Sequence, residues 1–250
     1  MRALRGGSVV VVVAAVLVGA CSAEAVPVAT PSTVTVAPVP SPKSAPPSPV
    51  APTPTSTPTP TSAFVGTVAV LTPDLVERMA ASWRPGCPVP LEDLRYVTVT
   101  HHGFEGQVVQ GELVVHADVA DGIVGVFRAL FDAGYPIRSM RLVDDFGADD
   151  DASMAADNTS AFNCRAITGG TEWSEHAYGR AIDVNPVENP YVRGRHVAPP
   201  AGREFAERTA RPGVILEGDA VVQAFAAAGW HWGGDWASPV DYQHFSVSGR

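Results

Sequence analysis

The sequence predicts a fold of the α+β class, in which strands and helices are mixed. Two neighbouring segments alternate in polarity and contain many β-branched residues, as paired strands do: residues 94–100 and 111–116, joined through a turn at 103–106. Strand-like and helix-like segments follow one another without the regular βαβ order of a parallel sheet. Residues 64–250 suffice for one domain with a sizeable core.

The other elements follow in chain order. Helices are predicted where the pattern is helical, over residues 74–83, 118–133 and 219–228. Further strands are predicted over residues 137–143, 181–184 and 244–247.

The first residues resemble an export signal. Arg2 and Arg5 precede an apolar run, residues 9–18, which is short for a membrane span and typical of a signal peptide. The small residues just before Cys21 resemble a bacterial lipobox, in which the cysteine is lipidated. We therefore expect residues 1–20 to be removed and Cys21 to anchor the chain to the outer face of the cytoplasmic membrane. The alternative is an ordinary cleaved signal with an incidental cysteine.

Residues 21–63 are rich in Pro, Thr and Ser and are predicted to form a linker. Alternating prolines favour polyproline II at ~3.1 Å per residue, so this segment would reach roughly 100 Å from the membrane. Its composition also fits glycosylation.

The overall charge argues against nucleic acid as a partner. The chain has 26 acidic and 17 basic residues and a formal charge of −9, and loss of Arg2 and Arg5 would make it more negative. Phosphate binding requires a basic face, which this composition does not offer.

Two histidines and an aspartate form a complete candidate zinc site. His176, Asp183 and His244 are ligand types that suit Zn²⁺, and three protein ligands leave the fourth position open, as in catalytic sites. Gly179 permits a sharp turn between the first two ligands. Asp241 lies three residues before His244, where it could accept a proton from metal-bound water.

These residues resemble the D-alanyl-D-alanine carboxypeptidase family of zinc peptidases, the VanY-like group. Its signature is S-x-H-x-x-G-x-A-x-D, followed by an acidic residue three positions before a second histidine. The chain meets every fixed position of the first motif, namely Ser174, His176, Gly179, Ala181 and Asp183. Asp241 replaces the usual Glu, as in the endopeptidase-like branch, and the resemblance extends over residues 83–245.

The resemblance implies a fold of the D-Ala-D-Ala peptidase/Hedgehog-like type, an antiparallel sheet backed by helices with zinc in a groove. It also implies that Asp241 is the catalytic base and that Arg165, in the stretch before the zinc motif, stabilises the oxyanion. Arg138 and Arg141 are competing candidates for that arginine. We expect Ser174 and Trp232 to contact substrate.

The expected activity is zinc-dependent hydrolysis of peptidoglycan stem peptides by a monomer, of the D,D-carboxypeptidase type. An L,D-endopeptidase of the same family and a non-catalytic peptidoglycan-binding lipoprotein are the alternatives, and a lipid-anchored adhesion or signalling module is a third class. The intact set of ligands and base favours an enzyme.

The remaining cysteines and polar motifs have structural interpretations. Cys87 and Cys164 are an even pair in an oxidising compartment, which predicts a disulfide; a cysteine nucleophile is the weaker alternative. Acidic residues at 144–151 lack EF-hand spacing and are interpreted as a solvated loop beside the groove. The sequon at Asn158 is discounted. The other five histidines are assigned to the surface or core: His101, His102, His116, His196 and His231.

Overall fold

A computed structural model describes residues 63–250. The predicted signal peptide, the lipidated Cys21 and the linker up to residue 62 lie outside the described residues. Within the described part, no helix combines the length and apolar character needed to cross a membrane.

The first sheet contains the predicted hairpin. Strands β1 (Gly66–Val70), β2 (Leu94–His102) and β3 (Val108–His116) pair antiparallel in the order β1-β2-β3. Helix α1 (Pro73–Arg78) follows β1 and is shorter than predicted, while α2 (Ala120–Asp132) follows β3 close to its predicted bounds. This hairpin and helix form the framework on which the rest of the domain packs.

Helix α2 packs on the first sheet because its apolar residues recur at helical spacing. Ile123, Phe127 and Leu130 fall on one face and are no more than 1% exposed. The same core contains sheet residues and residues from the C-terminal part of the chain: Val97, Val99, Leu113, Val115, Ile182, Phe225 and Phe245. The C-terminal strands are therefore fixed against the first sheet and α2 through a common core.

The predicted strand at 137–143 is correct in position but too long. Only β4 (Ser139–Met140) is a strand, and it pairs parallel with β5 (Asn158–Thr159), with α3 (Asp150–Ala155) between them. The buried Asn158 side chain accepts hydrogen bonds from Ser139 Oγ and Arg141 N and donates one to Arg141 O. These bonds replace a strand ladder, and the complete burial of Asn158 excludes its sequon from the surface.

The second antiparallel sheet follows the order β6-β11-β9. It is formed by β6 (Ala181–Asp183), β9 (His231–Trp232) and β11 (His244–Ser246). Helix α4 (Ala220–Ala227) precedes β9, and Asp219 caps its first turn by accepting from two main-chain N–H groups. The two short strands at 181 and 244 are thus adjacent, as a shared site requires.

A third antiparallel sheet follows the order β10-β7-β8. Its strands are β7 (Tyr191–Arg193), β8 (His196–Ala198) and β10 (Val240–Asp241). The architecture described is therefore a mixture of helices and small antiparallel sheets, which is compatible with the α+β class. It differs from the expected single sheet because the C-terminal half divides into short strands between turns.

A second apolar cluster surrounds the disulfide between Cys87 and Cys164. The two Cα atoms lie 5.9 Å apart, and Cys164 is 2% exposed. Its apolar neighbours include Met79, Leu94, Val114 and Phe162. The bond leaves neither sulfur free as a thiol nucleophile, and it holds the segment that leads to Arg165.

Candidate metal centre and active-site cleft

The three candidate ligands converge because of strand register and one turn. His244 on β11 lies directly opposite Asp183 on β6, and directly opposed residues of antiparallel strands project to the same face. His176 lies in a short 3₁₀ turn, residues 175–178, just before β6. Gly179 ends that turn with φ +66°, and a Cβ atom there would lie 2.6 Å from the main-chain nitrogen of His116. Gly179 thus provides both the turn and a close approach to β3.

The ligand atoms are near one another and buried. His244 Nδ1 lies 3.0 Å from Asp183 Oδ1, and His176 Nε2 lies 3.1 Å from Asp183 Oδ2. The facing nitrogens of the two imidazoles are 3.3 Å apart. One ligand atom from each of the three residues can be chosen so that all lie within 4.8 Å of one another.

In each imidazole, the ring nitrogen that points away from Asp183, here called the outer nitrogen, shows how the ring is protonated. His176 Nδ1 lies 2.6 Å from the Ala161 carbonyl oxygen, and His244 Nε2 lies 2.9 Å from the main-chain oxygen of Arg250. A carbonyl oxygen only accepts, so each outer nitrogen carries a proton and donates it. In a neutral ring the inner nitrogen then presents a lone pair, and two lone pairs and a carboxylate converge on one point.

Such convergence of acceptors requires a positive charge at the centre. Burial disfavours a charged His244, yet the hydrogen bond with Asp183 raises the pKa of His244 to about 9. Burial likewise raises the pKa of Asp183, but the two imidazoles overcome this and hold it well below its usual range. A divalent cation fits the site, because it would satisfy all three acceptors at once. Two nitrogen ligands and one carboxylate suit zinc.

Asp241 lies beside the ligands and has an unused acceptor. It belongs to β10, and its Oδ1 atom is buried with no hydrogen-bond partner among residues 63–250. Burial and the neighbouring Asp183 carboxylate raise the pKa of Asp241 to about 7, against the opposing effect of His244. A carboxyl group that exchanges a proton near neutral pH is suited to general acid–base work.

The position of Asp241 depends on Gly233. A Cβ atom at Gly233 would lie 2.6 Å from the main-chain oxygen of Asp241 and 3.3 Å from the Cβ of His244. The absence of a side chain at this position therefore allows Asp241 and His244 to lie close together.

An open cleft of about 760 Å³ reaches all four residues. Arg165 also lines it, and its guanidinium is 2.7 Å from Asp150. The competing arginines lie elsewhere: Arg138 is near Glu188 and Arg141 is paired with Asp145, and neither lines the cleft. Position therefore favours Arg165 over both alternatives.

The two predicted substrate contacts differ in their placement. Ser174 lines the cleft, but its hydroxyl accepts from His176 N and so caps the turn that carries the first ligand. Trp232 is only 5% exposed, packs in the core near Phe245 and donates from Nε1 to the carbonyl of Tyr242. Trp232 does not line the cleft, so its assignment to substrate binding is corrected; Trp236 lines the cleft instead.

The acidic segment is ordered rather than loosely solvated. Asp144 accepts from Ala81 N and Ser82 N, and Asp149 caps α3. Only Asp150 and Asp151 of this segment line the cleft. These acidic residues, whose spacing excluded an EF-hand, thus have structural roles in helix capping, hydrogen bonding and ion pairing.

Several cleft residues were not identified in the sequence. Tyr191, Arg193 and His196 lie on the cleft wall, although His196 was assigned a structural role. No motif marks them, because they reach the site through the pairing of the β7–β8 hairpin with β10, which lies about fifty positions later in the chain. Only the register of β7 with β8 and β10 reveals them.

Comparison with known proteins supports the same part of the chain. A sequence model of a family described as D-alanyl-D-alanine carboxypeptidase matches residues 168–247. No curated protein and no solved structure gives a significant match. The resemblance is therefore confirmed for a segment that contains His176, Asp183, Asp241 and His244. Arg165 lies just before that segment, so its assignment rests on its place in the cleft.

Proposed function

We propose that this chain, whose C-terminal segment matches the D-alanyl-D-alanine carboxypeptidase family, is a zinc-dependent peptidase that cleaves peptidoglycan stem peptides. The observation that carries the proposal is the convergence of three buried acceptor atoms in an open cleft, beside the Oδ1 atom of Asp241, which has no hydrogen-bond partner among residues 63–250. We assign the D,D-carboxypeptidase type as the preferred activity.

The three ligand residues contribute differently to metal binding. Asp183 supplies the negative charge, while His176 and His244 are held in orientation by the carbonyl groups that accept from their outer nitrogens. When bound there, zinc supplies Lewis acidity that activates water and polarises the scissile carbonyl.

Asp241 performs the proton transfers. Its carboxylate takes a proton from the attacking water and later gives it to the leaving amine, and its Oδ1 atom, which has no hydrogen-bond partner among residues 63–250, is available for this transfer. Arg165 supplies positive charge at the cleft wall, where the carbonyl oxygen becomes negative. Asp150 holds the Arg165 guanidinium in that position through their ion pair.

A non-catalytic binding protein is less consistent with this arrangement. A buried carboxylate oxygen that finds no partner in the described part of the chain costs stability, and binding alone gives no reason to keep it. The same cost is understandable where the oxygen exchanges a proton during turnover.

The test is digestion of purified muropeptides by the purified chain, with mass-spectrometric identification of the products. The proposal expects loss of a terminal D-Ala, abolition of cleavage by a chelator and recovery on addition of zinc. Release of a fragment cut between L- and D-residues would instead assign the endopeptidase activity. Binding without cleavage in the presence of zinc would refute the peptidase.

We further propose that lipidation of Cys21 anchors the enzyme to the outer face of the cytoplasmic membrane and that residues 21–63 carry it toward the wall. Replacement Cys21→Ser should release the protein from the membrane fraction without changing its hydrolytic rate. Retention of the variant in washed membranes would contradict this placement.

A further inference from the structure

The third sheet forms one wall of the cleft with a single face. In β7, Tyr191 and Arg193 are two residues apart and so project to the same side. Their partners across the ladders project to that side as well. The residues that this register places together also line the cleft: Asp241, Tyr191, Ala198, Arg193 and His196. Val192 and Val197 alternate with them and do not line it.

The same register places Arg193 beside the proposed catalytic base. Tyr191 pairs directly with Asp241, and Arg193 pairs directly with His196. Arg193 is therefore two strand residues, about 7 Å, from the residue opposite Asp241. This separation is on the order of two residues of an extended peptide, so a substrate group near the scissile bond falls within reach of the Arg193 side chain.

Arg193 is available for a ligand, in contrast to Arg165. The ion pairs formed by residues 63–250 do not include Arg193, which is exposed to the cleft. The charge of Arg165 is already compensated by Asp150 at 2.7 Å. A planar guanidinium with free donors matches a carboxylate through two parallel hydrogen bonds.

The segments that precede β6 give the cleft a more acidic wall, because Arg165 there is paired with Asp150. Asp151, Glu172 and Glu175 line it on the segments that precede β6. A peptide carboxylate is repelled by those residues and attracted by the third sheet, so charge orients the peptide across the metal site.

We propose that Arg193, assisted by His196, binds a carboxylate of the peptide substrate close to the scissile bond. The inference rests on the proposed peptidase function. Two carboxylates can supply this chemistry, the free C-terminus of the peptide and the side-chain carboxylate of an acidic stem residue. Arg193 and His196 thus determine specificity and orient the substrate, while Asp241 carries out the proton transfers.

The hairpin supplies a matched control. Arg195 has the same charge, lies in the two-residue turn between Arg193 and His196, is exposed, and does not line the cleft. Arg193→Ala and Arg195→Ala therefore each remove one positive charge from the hairpin formed by β7 and β8. Because both side chains are exposed, neither change removes a core contact, and circular dichroism checks that both variants fold.

The experiment measures kcat and KM of the purified full-length chain with zinc on three forms of a stem pentapeptide. One is unmodified, one is amidated at the C-terminus and one is amidated at the side-chain carboxylate. Amidation of the recognised carboxylate should lower kcat/KM of the wild-type chain about tenfold, mainly through KM, since a charge-assisted hydrogen bond at an exposed site is worth about this much. Arg193→Ala should lose the same factor and no longer distinguish the peptides, Arg193→Lys should recover part of it, and Arg195→Ala should match wild type.

The peptide that loses the factor identifies which carboxylate is bound. Equal rates of the wild-type chain on all three peptides, or equal losses in Arg193→Ala and Arg195→Ala, would overturn the proposal. Calorimetric binding of the same peptides to the Asp241→Asn chain measures recognition without turnover. If the wild-type chain with zinc cleaved none of the peptides while the Asp241→Asn chain still discriminated among them by affinity, the subsite would be retained and the peptidase refuted. Cleavage by the wild-type chain without any discrimination in affinity would do the reverse.

Discussion

Replacement Gly233→Ala should damage the active site through a single added methyl group. The new Cβ would lie 2.6 Å from the main-chain oxygen of Asp241, 3.1 Å from the Asp241 Cβ and 3.3 Å from the His244 Cβ. Carbon–oxygen contacts below 3.0 Å are not tolerated, and all three atoms are main-chain or Cβ atoms of residues in β10 and β11 rather than flexible side-chain ends. The backbone must therefore move by about half an ångström or more.

This displacement has a stability cost and a larger catalytic cost. Overpacking of this kind costs about 1–3 kcal/mol, and each kcal/mol lowers Tm by about 2–4 °C in a domain of this size. Misplacement of a catalytic group by about 1 Å costs about a hundredfold in rate. Because both Asp241 and His244 are moved by about half an ångström or more, we expect kcat/KM of Gly233→Ala to fall about tenfold to a hundredfold and its zinc affinity to weaken.

The assay combines thermal unfolding, zinc titration and steady-state hydrolysis of a stem peptide. Gly122→Ala is the control, because Gly122 lies in α2 and a Cβ atom there would meet nothing within 4 Å. That control should be neutral or stabilising by about 0.5–1 kcal/mol, with unchanged hydrolysis. If Gly233→Ala kept wild-type zinc affinity and kcat/KM, the close approach of Gly233 to Asp241 and His244 would not be what positions these two residues.

Two further predictions concern stability. Burial and a hydrogen bond with Asp157 raise the pKa of Glu188 to about 8 from an ordinary value of 4.5, so the folded state retains a proton that the unfolded state loses. The free energy of unfolding should therefore fall as pH rises from about 4.5 to 8, by at most about 1.4 kcal/mol per pH unit. Urea titrations of Glu188→Gln should show a weaker fall, whereas the control Glu204→Gln, at an exposed ion pair, should follow wild type. Identical slopes in all three chains would refute the raised pKa of Glu188. The disulfide joins residues 77 positions apart, so its removal with Cys87→Ser and Cys164→Ser together should lower the free energy of unfolding by up to about 4.5 kcal/mol, and an unchanged urea midpoint would show that the crosslink adds no stability.

The candidate ligand set could be predicted from the sequence because the spacing of its residues determines how they are brought together. His176 and Asp183 flank a glycine turn, and Asp241 and His244 lie on consecutive short strands, so local structure alone places each pair. The paired strands β2 and β3 and helix α2 were likewise predicted, since their periodicity follows directly from burial on one face.

The residues of the cleft wall could not be predicted from the sequence, for a physical reason. Arg193 and His196 become site residues only through pairing of β7 with β10, about fifty positions later in the chain, and no local pattern encodes that pairing. Trp232 was misassigned because an aromatic residue beside a ligand can point either to the cleft or to the core. Here Trp232 packs near Phe245 in the core, while Trp236 lies against His244 and lines the cleft.

The length of the strand predicted at 137–143 was wrong because a side chain replaced the main-chain ladder. The side-chain amide of Asn158 hydrogen-bonds to both the N–H and the C=O group of Arg141. β-propensity does not predict that a side chain will take the place of a partner strand.

The most direct test of the account is the zinc content of three purified chains measured beside their rates of stem-peptide hydrolysis. The wild-type chain should hold about one equivalent of zinc and cleave the peptide. Asp241→Asn should hold the same zinc and cleave nothing, since Asp241 acts as the base and is not a ligand, whereas His176→Ala should lose both zinc and activity. A wild-type chain that binds no zinc, or an Asp241→Asn chain that loses zinc as completely as His176→Ala, would contradict the account.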